Sequence, residues 1–98
     1  MKILESIIIP QDTANDDQVI IRNINVTNNE LIESDHCCID YETSKATFEI
    51  TNKKAGYVKL FCKEDDVKKI GELIIEIYDS PINDEDIKIS ETDEKNKN

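Results

Sequence analysis

Glycine is scarce: the chain has two, which excludes a glycine-rich loop of the kind that cradles phosphate. Histidine is scarcer. The single one, His36, precedes Cys37 and Cys38, but neighbours on a strand point to opposite faces, so sequence adjacency supplies neither a metal ligand set nor an oriented Cys-His nucleophile. The three cysteines are an odd number with two adjacent, a pattern unlike the disulfide framework of a small secreted scaffold, and one buried plus one half-exposed thiol are expected at 37 and 38. No apolar run reaches the ~18 residues of a membrane span, and the N-terminus lacks the basic, apolar and small-residue succession of a signal peptide. A cytoplasmic protein is expected. Positive charge is short as well, with 12 basic residues against 22 acidic ones and a net charge of -10. Such a surface repels phosphate backbones and anionic lipid, which excludes nucleic acid and membrane as expected partners and favours basic protein surfaces.

What the chain does have is β-branched residues in short runs. Ninety-eight residues make one domain, which at this size buries about 60–65% of its unfolded surface and has no room for a large internal active site. Ile3 to Ile9 reads as a first strand ending at Pro10, Val19 to Val26 as a second, and Cys37 to Glu42 as another whose return is Ala46 to Thr51. In that return Phe48 and Ile50 share one face, while Thr47, Glu49 and Thr51 share the other. Tyr57 to Cys62 and Leu73 to Tyr78 complete the set, with Gly56 marking a bend or a close backbone approach. Gln11 to Gln18 is polar and turn-like. The paired acids Asp16-Asp17 and Asp65-Asp66 read as solvated turns. The folded unit is expected over residues 1–80, and 81–98 as an acidic disordered tail or linker.

An internal repeat at an offset of 36 residues runs without a gap from Ile24. Ile24 falls on Leu60, Val26 on Cys62, Asn29 on Asp65, Leu31 on Val67, Asp35 on Gly71, and Cys37-Cys38-Ile39 on Leu73-Ile74-Ile75. Apolar residues match apolar ones, and turn formers match at both tight positions, as two equivalent halves require. Short strands cannot cover a core as one sheet. The expected fold is therefore all-β, a flattened barrel or sandwich of two small antiparallel sheets with an internal pseudo-two-fold repeat. The segment joining the halves, Glu42 to Phe48, is expected near the symmetry axis, with Lys45 at a hairpin tip.

From Ile7 to Ile77 the chain resembles the biotinyl and lipoyl carrier domain family. The resemblance rests on Tyr41-Glu42-Thr43-Ser44-Lys45-Ala46-Thr47-Phe48-Glu49-Ile50, which looks like the segment around the modified lysine. It is supported by Ala55-Gly56-Tyr57-Val58-Lys59 and by Pro10-Gln11 after an apolar strand. Biotinyl domains usually flank their lysine with methionines, whereas lipoyl domains usually have an acidic residue before and alanine after. Ala46 favours the lipoyl type; Ser44 departs from it. The family favours glycine at the turns occupied here by Asn29, Asp35 and Asp65, and only Gly71 keeps it.

The resemblance implies a swinging-arm carrier, noncatalytic by itself and part of a larger enzyme or multienzyme system. Lys45 would hold a lipoyl group in amide linkage and pass acyl or aminomethyl groups between active sites. A lipoate ligase or lipoyl transferase and partner enzyme domains are the implied partners. Glu42, Thr43, Ser44, Ala46 and Glu49 would form the recognition hairpin, and Asn29, Asp35, Gly56, Asp65 and Gly71 the structural turns. Two alternatives stand beside it: a biotin carrier, or an unmodified interaction module with no cofactor.

Overall fold

The computed structural model describes residues 1–11 and 17–82. Most of the expected polar turn at 11–18, including Asp16, and the expected tail from 83 onward lie outside the described residues.

Eight strands form, and no helix occurs among the described residues: β1 (Ile3–Ile8), β2 (Gln18–Ile24), β3 (Leu31–Ile32), β4 (Cys37–Glu42), β5 (Thr47–Thr51), β6 (Gly56–Leu60), β7 (Val67–Lys69) and β8 (Leu73–Tyr78). They build two antiparallel four-stranded sheets, ordered β1-β8-β6-β3 and β5-β4-β2-β7. Replacing each strand number by its counterpart four places on turns the first order into the second. The chain is thus two β-β-β-β halves whose strands interleave, as the repeat requires. No described helix is long and apolar enough to cross a membrane.

The core fills the space between the sheets with alternate residues of each strand, Val19 and Ile21 from β2, Ile39 and Tyr41 from β4, Val58 from β6, and Ile75 and Ile77 from β8, all but shut off from solvent. β-branched side chains suit this role, because they pack on a pleated surface at little rotamer cost. Ile82 is also buried, and its N–H donates to Asn29 Oδ1 at 2.7 Å. The packed part therefore extends past residue 80, where the tail was expected to begin.

The pseudo-symmetry is visible atom by atom. Asn25 N donates to Cys38 O, and Phe61 N to Ile74 O, each at 2.8 Å and each 36 residues apart from its counterpart. Asn29 (φ 69°) matches Asp65 (φ 72°), and Asp35 (φ 62°) matches Gly71 (φ 89°), so the left-handed turns recur in register. The halves share one bulge, at Cys38 in β4 and at Ile74 in β8, where both that residue and the next are buried. Two irregularities have no counterpart: at Leu4 the register between β1 and β8 slips, whereas β4 and β5 pair evenly over Asp40–Glu42, and at Arg22 the register between β2 and β4 slips, whereas β6 and β8 pair without interruption. Upstream of Arg22 the equivalence is one residue longer, with Ile21 in the place of Val58, which is why the uninterrupted repeat starts only at Ile24.

One expectation is corrected. Since β4–β5 is the counterpart of β8–β1, the hairpin carrying Lys45 is equivalent to the region where β8 ends and β1 begins, off the symmetry axis.

Candidate functional site

The β4–β5 hairpin pairs Tyr41 with Phe48 and Glu42 with Thr47, leaving Thr43-Ser44-Lys45-Ala46 as its turn. Alternation sets this register: Tyr41 and Ile39 point inward and must lie opposite Phe48 and Ile50. The Tyr41 and Phe48 rings stack beneath the turn with centroids 5.6 Å apart. Aromatic pairing of this kind stiffens the base of the hairpin.

Thr43 organises the turn itself. Its N–H donates to Ala46 O at 2.9 Å, and its Oγ1 accepts from Lys45 N at 3.1 Å and Ala46 N at 3.2 Å. Threonine thus supplies locally the acceptor that a glycine-bearing turn would find in the backbone. The side chains of Ser44 and Lys45 are left exposed. No carboxylate among the described residues lies within ion-pair distance of Lys45 Nζ. The Lys45 side chain thus stands exposed at a chain reversal, above the Tyr41–Phe48 stack.

The acidic residues near the turn behave differently from one another. Glu42 is engaged, its Oε1 accepting from Arg22 Nε at 2.6 Å, while Arg22 Nη1 also reaches Asp65 Oδ1 at 3.2 Å. The unmatched bulge in β2 carries this arginine. An open groove of about 470 Å³ runs beside the turn between Asp17–Ile20 and Glu42–Ser44. Glu49 lies farther down the sheet, across from Asp40. There Cys37 Sγ and carboxylate oxygens of Asp40 and Glu49 come within 4.8 Å of one another. Sequence reading missed this group, since residues 37 and 40 on a regular strand would face opposite ways; the bulge at Cys38 turns both outward. Burial, followed by the charges of Glu49 and Asp40, raises the Cys37 pKa. A protonated Cys37 Sγ lies 3.6 Å from Asp40 Oδ1 as a donor, so it is a poor nucleophile.

The turn residues occupy the backbone regions described above. Gly56 is a different case: a Cβ there would stand 2.5 Å from Tyr78 O and 2.6 Å from Ile77 Cγ2, so the strand crossing is too close for any side chain. His36 is half-buried, and its backbone N–H donates to Asn52 Oδ1 at 2.8 Å.

No protein-family model matches the chain, and no curated protein matches it in sequence.

Proposed function

We propose that the chain is a carrier domain whose Lys45 amine takes a lipoyl group in amide linkage and presents it to successive active sites of a multienzyme system. The observation that carries this reading is the exposed amine, without an ion-pair partner among the described residues, at the reversal of a hairpin held from below by the Tyr41–Phe48 stack and from within by Thr43. Such a platform presents an arm without moving the core. The cofactor supplies the acyl-transfer chemistry, and the tether raises its effective concentration at each partner. Ala46 supports the lipoyl over the biotinyl arm. The partners are a lipoate ligase or lipoyl transferase, which would read the turn from Glu42 to Ala46, and enzyme domains with basic entrances suited to a chain of charge -10. Three free thiols suit a reducing cytoplasm.

Intact mass tests this. The full chain, co-expressed with a lipoate ligase and separately with a biotin ligase, is expected to gain about 188 Da with the first and to keep its mass with the second. Peptide mapping should place the adduct on Lys45, and Lys45→Arg should abolish it. A gain of about 226 Da with the biotin ligase would assign the biotin alternative, and an unshifted mass in both would overturn the carrier reading.

A further inference from the structure

The two sheets are equivalent in backbone and differ in surface chemistry. On the outer face of the β1-β8-β6-β3 sheet, three rows of side chains cross the strands. The first is Leu31, Tyr57, Tyr78 and Ile3, each paired with the next; the second is Lys59, Glu76 and Ser6. The third brings Phe61, whose N–H donates to Ile74 O, alongside the Leu73–Ile8 pair. These positions lie on the outer side of the pleat, since their neighbours Ile77, Val58, Ile75, Ile32 and Ile9 face the core, although Tyr78 is itself covered down to 8% exposure. Leu31 is 63% exposed, Ile8 49% and Ile3 47%.

The corresponding rows on the other sheet read Val67, Ile20, Glu42 and Thr47, then Asn23, Asp40 and Glu49, then Asn25, Cys37 and Thr51. Symmetry-related positions share the same backbone demands, so the fold does not require the apolar residues of the first sheet. Something that covers them does.

We propose that this face is the interface of a symmetric homodimer, two copies packed sheet on sheet. Consider a two-fold axis in the interface, running along the strands between β6 and β8. It sets Leu31 against the partner's Ile3, Tyr57 against the partner's Tyr78, and Phe61 against the partner's Leu73. The same operation sets Lys59 against the partner's Glu76, so the only two charges in the rows meet with opposite sign, twice. Within one copy these two are cross-strand neighbours but form no ion pair: the Lys59 ammonium lies 5.2 Å from the centre of the Phe61 ring, and Glu76 accepts from the Tyr78 hydroxyl at 2.5 Å. Among the described residues, Lys59 has no ion-pair partner.

Charge selects this face over the other. Packing through it turns Glu42, Asp40 and Glu49 outward on both copies, as far apart as a sandwich allows, whereas the other face would bring those carboxylates together. With strands about 4.8 Å apart and rows about 7 Å apart, the contact buries on the order of 500 Å² per copy. That is the low end of specific interfaces, so the dimer is weak at modest concentration. The Lys45 turn belongs to the other sheet and stays free. The dimer does not depend on what Lys45 carries.

Sedimentation equilibrium of the full chain tests the proposal, from about 10 µM to about 1 mM, where association of micromolar strength is readable. The mass should rise from 11.3 kDa toward twice that value. Raising NaCl from about 0.15 M to about 1 M should strengthen association, because it screens repulsion between two acidic chains. Leu31→Lys should weaken it at least about tenfold, while Val67→Lys, the same change at the symmetry-related position, should leave it within about twofold. Lys59→Glu should weaken association, and combining it with Glu76→Lys should restore it. A monomer throughout, equal effects of Leu31→Lys and Val67→Lys, or a failed charge-swap rescue would overturn the proposal.

Discussion

Asn52 illustrates how one side chain fixes two loops. It is fully buried; its Nδ2 donates to Glu33 O at 2.7 Å and Lys54 O at 2.8 Å, and its Oδ1 accepts from His36 N at 2.8 Å. It ties the turn before β4 to the turn after β5 with both polar atoms of its side chain engaged. Asn52→Leu strands two carbonyls and one amide in a dry site, and chemical denaturation should show a loss of about 2–4 kcal/mol. In the sequence this residue is one polar letter in the stretch from Asn52 to Ala55, and nothing in its spacing marks it as core. Two thiols, the buried Cys38 and the half-buried Cys62, make a pH prediction. Burial is the first cause that pushes both Cys38 and Cys62 up to about 11. A folded pKa above the unfolded one means that folding favours the thiol. The stability it adds is whole below about pH 9 and is lost as pH rises toward 11, since the unfolded chain ionises first. Denaturation midpoints should therefore fall between about pH 9 and 11, and Cys38→Ala should flatten that slope whatever it does to stability at neutral pH.

Strands β4 and β8 were legible at their full length because six residues of alternating or doubly buried apolar pattern carry a clear period. β3 and β7, with two and three residues, were not, since so short a run has no period to read. Lys45's place at a reversal was legible from the alternation of Tyr41, Phe48 and Ile50 on either side. The group formed by Cys37, Asp40 and Glu49 was hidden by a bulge, which shifts the facing of every residue on one side of it. At the turns, substitution separates conformation from side-chain role. Asp35 and Gly71 hold equivalent left-handed positions, and the Asp35 side chain is exposed. Relieving its backbone with Asp35→Gly should raise the thermal midpoint, by about 0.5–1 kcal/mol of stability, while Gly71→Ala should lower it by a similar amount although no atom lies within 4 Å of the added methyl. If both changes were neutral, the left-handed conformations would carry no cost, contrary to the turn geometry.

At the scale of the whole molecule, the halves resemble each other but cannot stand apart. Among the described residues, the only strand pairing within 1–44 is β2 with β4, and within 45–82 it is β6 with β8. The pairings β1–β8, β3–β6, β2–β7 and β4–β5 all join one half to the other. Each half alone therefore offers one two-stranded ribbon, which water does not support without further strands or a covering layer. The core tells the same story, because Ile21 and Ile39 of one half pack with Val58 and Ile75 of the other in a single cluster. Cutting the chain between Ser44 and Lys45 severs only the turn, where both side chains are exposed and the strands on either side remain paired. The two fragments should each give the collapsed amide spectrum of an unfolded chain, and their mixture should recover the dispersed spectrum of the intact domain. Fragments that fold separately would mean that each half closes on itself, and the interleaved sheet order would then be wrong.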